Sequence, residues 1–384
     1  MRSPVLLTTV LSLCALGCSS STPAKPPETK VENPINDAAR FLAGMEGRAG
    51  GVFRELEGAE AWKAHAAEVQ KLWERFERAY LDPARQFQKS ELAPAIQYSD
   101  TVFYPFSGPD VPFMLAFFPA GKTYVMAGLE PVGPIPAPEL YPAEQLEKSL
   151  GGLRAAGGDM FGRSFFVTRE MDQQFRGQVA RGVLPMLLML LAKTGCQVES
   201  ARHVQIEPDG TLLEHRGPDR PRGVEIEFRR PDGGSAKLYY FSTDLAKGLE
   251  TDPRFLRFLN RFPSPDTLVK SGSFLLHWRM CERLRNFILE KSRNVLQDDT
   301  GVPYHYYVKT GWNVRLYGEY TVPDPPFRRQ YQKDLAAAFE EPGKAKPLGF
   351  SLGYGARRRP TALIFASRPA DAANGNNERK AAVQ

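Results

Sequence analysis

Hydrophobic positions along this chain recur with two periods, and the change from one to the other divides it. Between Ala59 and Leu81, Trp62, Val69, Leu72, Trp73, Phe76 and Tyr80 return at spacings of three, four and seven residues, as on one face of an amphipathic helix. Pro83 is expected to end that helix, because proline has no N–H to give to the preceding turn. From Thr101 the pattern turns extended. Thr101 to Phe106 reads as a strand, Ser107-Gly108-Pro109-Asp110 as a tight turn, and Val111 to Phe118 as a short helix. Thr123 to Leu129 then reads as a buried strand closed by Glu130.

The alternation continues. Arg181 to Ala192 is apolar nearly all round, the pattern of a buried core helix, with Gly195 placed as its C-cap. Val198 to Ile206, Val224 to Phe228 and Lys237 to Phe241 read as strands beside the turns Pro208-Asp209-Gly210 and Pro231-Asp232-Gly233-Gly234, which suggests hairpins. Thr243 or Asp244 is placed to cap a short helix, and Arg254 to Phe262 predicts another. Leu268 to Leu276 reads as extended, Met280 to Ser292 as helix and Asn294 to Gln297 as a strand ending in Asp298-Asp299, a second βαβ outline. Tyr304 to Val308, Val314 to Tyr320 and Leu363 to Ala366 read as further strands. The expected fold is α/β: a mixed sheet with Rossmann-like βαβ units, antiparallel hairpins and a helical N-terminal region. Residues 35–369 are expected to form a single globular domain or two packed halves, and the small polar residues 370–384 a disordered tail.

The first residues follow another logic. Arg2 precedes an uncharged apolar stretch, Val5 to Gly17, the layout of a secretory signal. At about 13 residues it falls short of the ~20 a spanning helix needs. Ala15-Leu16-Gly17-Cys18 resembles a bacterial lipobox, although Ala15 stands where leucine is usual. The resemblance implies that residues 1–17 are a signal peptide and that Cys18 is lipidated. Ser19 after it fits sorting to the outer membrane. Residues 18–34 are rich in Ser, Thr, Pro, Lys and Glu, too polar to repay the entropy of ordering, so they are expected to be a flexible linker. The expected partners are the membrane, reached through that lipid, and an unknown envelope ligand or protein; nucleic acid is not expected.

A net charge of +6 over 384 residues is mild, and no nucleic-acid module motif accompanies it. The arginine runs 328–329 and 357–359 read as solvated loop flanks. Beyond Cys14 and Cys18 the chain has only Cys196 and Cys281; an oxidising compartment permits a disulfide between them, but each stands beside apolar segments, which favours two separate core thiols. No His-Glu-x-x-His, Cys-x-x-Cys or zinc-type spacing occurs, so no metal is expected.

Three segments, Tyr104-Pro-Phe-Ser-Gly-Pro-Asp110, Tyr239-Tyr-Phe-Ser-Thr-Asp-Leu245 and Val295-Leu-Gln-Asp-Asp-Thr-Gly-Val-Pro-Tyr304, together resemble an uncharacterised bacterial family, often with lipoprotein-type N-termini. That resemblance covers most of residues 95–366 and implies one domain but no activity. Separately, residues 101–130 resemble the first motif of class I methyltransferases, in which the acid closing the second strand holds the cofactor's ribose. The resemblance implies that role for Glu130. A lone Gly108 replaces the family's run of glycines, Pro109 removes a backbone donor, and an exported chain meets no pool of S-adenosylmethionine or nicotinamide. No cofactor is therefore expected.

Candidate chemistry gathers at strand ends. Ser107, His305 and Asp298 are the catalytic candidates of an envelope hydrolase acting on glycan, peptide or ester. Ser107, however, lacks the Gly-x-Ser-x-Gly elbow. Asp110, Glu130 and Asp299 are ligand-binding candidates, since parallel strands would bring their carboxyl ends to one crevice. Ordinary turn chemistry explains the same acids. His203, His215 and His277 read as structural. The leading expectation is a lipid-anchored envelope protein that binds a ligand or partner without catalysis. Its first test is the tether: radiolabelled palmitate should enter the wild-type chain and not Cys18→Ala, and equal incorporation by both would refute the lipid at Cys18.

Overall fold

The computed structural model describes residues 33–94, 98–165, 182–355 and 360–369. Cys18, the signal and linker segments, Arg357 to Arg359 and the C-terminal tail lie outside the described residues.

Eleven strands form one mixed sheet: β1 Thr101–Pro105, β2 Thr123–Gly128, β3 Gln197–Ile206, β4 Leu212–Glu214, β5 Gly223–Arg229, β6 Ser235–Ser242, β7 Asp266–Val269, β8 Asn294–Asp298, β9 Asn313–Gly318, β10 Ala345–Lys346 and β11 Ala362–Ser367. Their order across the sheet is β10-β9-β11-β8-β7-β1-β2-β6-β5-β3-β4. The central five, β8-β7-β1-β2-β6, are parallel. Numbered by their place in the chain they read 5-4-1-2-3, the arrangement of doubly wound nucleotide-binding sheets. Antiparallel pairs flank them: β6-β5-β3-β4 on one side, and β11 between β8 and β9 on the other.

Both faces of the parallel core are covered, which is why its strands read as continuous apolar runs. Alternate residues serve opposite cores. Tyr104, Tyr124, Met126 and Tyr240 point to one, and Phe103, Val125, Ala127 and Phe241 to the other. The first core is roofed by α1 Pro34–Leu42, α3 Glu60–Phe76, α4 Asp82–Phe87, α5 Val111–Phe117, α6 Leu146–Arg163 and α7 Leu184–Lys193, with the one-turn α2 Arg54–Glu57 leading into α3. Every residue of α7 from Leu184 to Ala192 is buried, and Gly195 follows it at φ 80°, as a C-cap requires. The second core is covered by α8 Gly248–Thr251, α9 Arg254–Leu259, α10 Glu282–Lys291 and α11 Tyr304–Lys309. A smaller cluster joins α11 and α12 Lys333–Glu340 to β9 and β11. Cys196 belongs to the first core and Cys281 to the second, both buried and free, so the sheet separates the two thiols.

The first described residues are clamped to the sheet. Asn33 caps α1 and donates its amide to Val198 O at 2.8 Å, while Val198 N donates to Asn36 Oδ1 at 3.0 Å. Within the α3 stripe, buried His65 faces Leu42 O at 2.8 Å. Burial, with the Arg154 guanidinium nearby, pushes its imidazole down to about 4.

Three expectations need correction. Pro83 does not end the helix. A π-turn, Glu77–Leu81, precedes it, the Asp82 N–H reaches back to Glu77 O, and Pro83 enters the first turn of α4, where no N–H is required. Tyr304 to Val308 is a helix and not a strand: Tyr304 and Tyr307, three apart, are its buried residues, Tyr307 in the second core and Tyr304 in the smaller cluster. Of Leu268 to Leu276 only the first two residues lie in a strand. Beyond Val269 the backbone turns through φ 53°, 51° and 56° at Ser271, Ser273 and Phe274.

Asp266 opens β7 fully buried and joins the amino ends of three parallel strands. It accepts from Ser99 N at 2.8 Å and from Asn294 Nδ2 at 2.7 Å. Burial raises its carboxyl from 3.8 to about 6. Between those values the native chain binds the proton that the unfolded chain has released, so this group's contribution to stability falls as pH rises. Asp266→Asn keeps the neutral shape with a constant offset. Unfolding in urea should show wild type losing on the order of 2–3 kcal/mol relative to Asp266→Asn between about pH 4 and pH 7. A difference that does not move with pH would refute the assignment.

Candidate functional site

In a doubly wound sheet, ligands bind outside the carboxyl ends of the strands where the strand order reverses. Here that point lies between β1, which leads on to β2, and β7, to which the chain returns after β6. The backbone at both strand ends is strained. Phe106 after β1 has φ 57°, and Ser271, Ser273 and Phe274 after β7 also lie in the left-handed region. Such conformations cost of order 1–3 kcal/mol each for residues with a Cβ and persist only where surrounding contacts hold them.

The contacts that hold them start at Lys270, the residue after β7. It is buried. Its Nζ lies 2.5 Å from Asp110 Oδ2, donates to Ser164 O, and sits 3.9 Å above the Phe113 ring centroid. Burial lowers its pKa, and the charges of Asp110 and Asp298 oppose that shift. Asp110 has three duties. It caps α5 by accepting from Phe113 N, pairs with Lys270, and accepts the Tyr104 hydroxyl at 2.6 Å. That hydroxyl's pKa is raised well above 10, by burial first and then by the Asp110 charge.

Asp298 and Glu130 are engaged in the same way. Asp298 Oδ2 accepts from Ser271 N at 2.8 Å and its Oδ1 from Thr300 N at 3.0 Å, while the Thr300 hydroxyl accepts from Gly272 N. The end of β8 is thus stitched to the strained turn after β7. Asp299 is buried beside it, and its carbonyl accepts from Gln332 Nε2. Glu130 closes β2 and is buried, with its Oε2 3.1 Å from the Tyr240 hydroxyl of β6. Gly128 makes room for that carboxylate, since a Cβ there would come within 2.4 Å of Oε2. Gly353, at φ 58°, plays the same part for Asp298 and the Ser271 hydroxyl, each 2.7 Å from its would-be Cβ. The Ser271 Oγ is buried with no hydrogen-bond partner.

Ser107 and His305 are not brought together. Ser107 is buried, and its N–H and hydroxyl both turn to Ala127 O, at 3.0 and 3.3 Å. His305 lies on the exposed side of α11, its ring tilted against Tyr306 with centroids 4.2 Å apart. It lies near His277, whose imidazole is pushed down to about 4 by burial and then by the His305 charge. His203 lies 2.9 Å from Gly133 O. No group of three or more His, Cys, Asp or Glu among the described residues is arranged to hold a metal, and no described helix is long and apolar enough to cross a membrane.

Lys270, Tyr104, Tyr240 and Ser164 complete this network and were missed in the sequence. Lys270 carried the signal that revealed Glu130 and Asp298, a charge directly after an apolar strand. Ser164 carried none. An open cavity of about 280 Å³ lies outside the network, beyond the end of β6, between β3, β5 and the start of α9. No family model, curated protein or solved structure matches this chain.

Removing one member of a buried ion pair strands the other. Lys270→Met should lower unfolding stability by about 3–5 kcal/mol. Lys270→Met combined with Asp110→Asn, which keeps the helix cap, should recover at least half of that loss. A loss for Lys270→Met below about 1 kcal/mol, the range of exposed pairs, would show that the pair does not hold this region.

Proposed function

We propose that this protein is a lipid-anchored component of the bacterial cell envelope that binds a ligand without transforming it. One observation carries the reading: Asp110, Glu130, Asp298 and Ser107, four of the candidates at the switch point, already have partners within the chain. Asp110 is held by Lys270 and Tyr104, Glu130 faces Tyr240, Asp298 is held by Ser271 and Thr300, and Ser107 is turned to Ala127. A general acid or base must reach a substrate proton, and a nucleophile needs a base within hydrogen-bond reach. The open cavity beside β6 supplies a place for a ligand. The signal-like N-terminus and Cys18 supply the address.

The hydrolase alternative finds no base for Ser107 among these contacts. The methyltransferase-like alternative has one observation in its favour, the order of the five parallel strands with Glu130 closing β2. Against it, the carboxylate that would hold a ribose already faces a tyrosine hydroxyl.

The test uses the chain made with its own leader and extracted in mild detergent. Native mass spectrometry should show a non-covalent species in excess of the lipidated chain, released by denaturation. A fluorophosphonate, which marks activated serines, should label wild type no more than Ser107→Ala. Titration with S-adenosylhomocysteine should give no saturable heat. Labelling lost in Ser107→Ala would overturn the reading in favour of a hydrolase, and saturable binding of the nucleoside would overturn it in favour of a transferase.

A further inference from the structure

The cavity at the end of β6 has an apolar floor. The Phe241 ring lies against Gly223 of the neighbouring strand, where a Cβ would come within 2.7 Å of the ring. Glycine here leaves the room that the ring occupies. Phe255 packs against it, edge to face, with centroids 5.6 Å apart. Floor and walls together enclose about 280 Å³, near the lower end of the range for small-molecule sites.

The rim carries three arginines, Arg220, Arg222 and Arg254, against two carboxylates, Asp219 and Asp252. Arg254 is spoken for: its Nε and Nη2 lie 2.8 and 2.5 Å from the two oxygens of Asp252. That pair, and more weakly Arg222, holds the Asp252 carboxyl below its usual range. Neither Arg220 nor Arg222 has a side-chain hydrogen bond or ion pair among the described residues. Both are exposed, so each guanidinium fork is free to meet an incoming acceptor. Ser242 and Thr243 also line the cavity, the Ser242 hydroxyl donating to Leu129 O at 3.3 Å.

An aromatic floor below two uncommitted guanidinium groups matches one chemistry. We propose that this cavity binds a small organic anion, a flat apolar body carrying a phosphate or carboxylate, with the body on Phe241 and Phe255 and the anionic group held by Arg220 and Arg222. Arginine suits this task because its planar fork meets such oxygens two at a time. The proposal rests on the binding reading above and names the ligand class for that site.

Calorimetric titration of the full chain with phenyl phosphate tests it, with inorganic phosphate and phenol as the anion-only and body-only arms. Phenyl phosphate should bind in the range of about 1 mM or tighter, as a ligand this small allows. Each of the other two should bind at least about tenfold more weakly. Replacing both guanidinium groups, Arg220→Ala with Arg222→Ala, should weaken phenyl phosphate about tenfold or more. Both side chains are exposed and unpaired, so the fold should survive, and an unchanged urea midpoint checks this. Equal binding by wild type and the double variant, or equal binding of phenyl phosphate and phenol, would overturn the anion assignment. If native mass spectrometry still shows a retained species that phenyl phosphate does not displace, the ligand class fails while the binding reading stands. Absence of any retained species together with no phenyl phosphate binding would remove both.

Discussion

The ammonium group of Lys270 has no water to turn to, and much of the architecture around the switch point follows from that. A buried cation must find acceptors nearby. It finds Asp110 at the start of α5, the Ser164 carbonyl at the end of α6 and the face of Phe113. These contacts fix where α5 begins, how the chain leaves α6, and how β7 ends. A buried pair is weak evidence for stability, since apolar residues of similar volume often do as well. What it supplies here is placement, because any other docking of α5 against β7 leaves two charges stranded. The strained residues 271, 273 and 274 then follow. The chain leaving β7 must keep Lys270 turned inward while Ser271 N reaches Asp298.

This use of the switch point bears on what the fold can do. In sheets of this strand order the crevice between the first and fourth parallel strands is the usual ligand site. Here the chain occupies it with its own side chains. The glycines confirm the economy of space, since Gly128 and Gly353 each leave just the volume that a carboxylate fills. Likeness of topology to nucleotide-binding sheets is therefore likeness of scaffold, and function has to be argued from the side chains that remain free.

The parallel core was legible in the sequence because burial on both faces makes strands apolar throughout, and a charge at the end of such a run stands out. Glu130 and Asp298 were readable for that reason. Lys270 occupies the same kind of position, but Phe274-Leu275-Leu276 just beyond it made the strand look longer than it is. Serine and phenylalanine give no sequence sign of the left-handed backbone they adopt at 271, 273 and 274. Pairings across the chain were out of reach. Tyr240 meets Glu130 over 110 residues, and only the strand order makes them neighbours. The aromatic run at Tyr304 misled for a plain reason: tyrosine favours strands when its neighbours permit it, whereas here Tyr307 packs into the second core and Tyr304, one turn earlier, into the smaller cluster beside it. Pro83 misled because proline breaks a helix only where an N–H is needed, and the π-turn before it removes that need.

Affinity must come from groups whose bonding capacity is not yet used. At the switch point Lys270, Asp110, Asp298 and Glu130 already have partners, so a ligand arriving at those groups would have to break a bond for each one it made. Beside β6 the situation is reversed. Phe241 and Phe255, each only 3% exposed, lie at the bottom of an open cavity, and Arg220 and Arg222 hold hydrogen-bond donors for which no partner stands among the described residues. In water those donors are hydrated, and an anion gains over water chiefly by meeting both forks at once while its body covers the rings. An anion without a body, or a body without a charge, gains only part of that. Selectivity at such a site therefore arises from the joining of two modest attractions in one molecule.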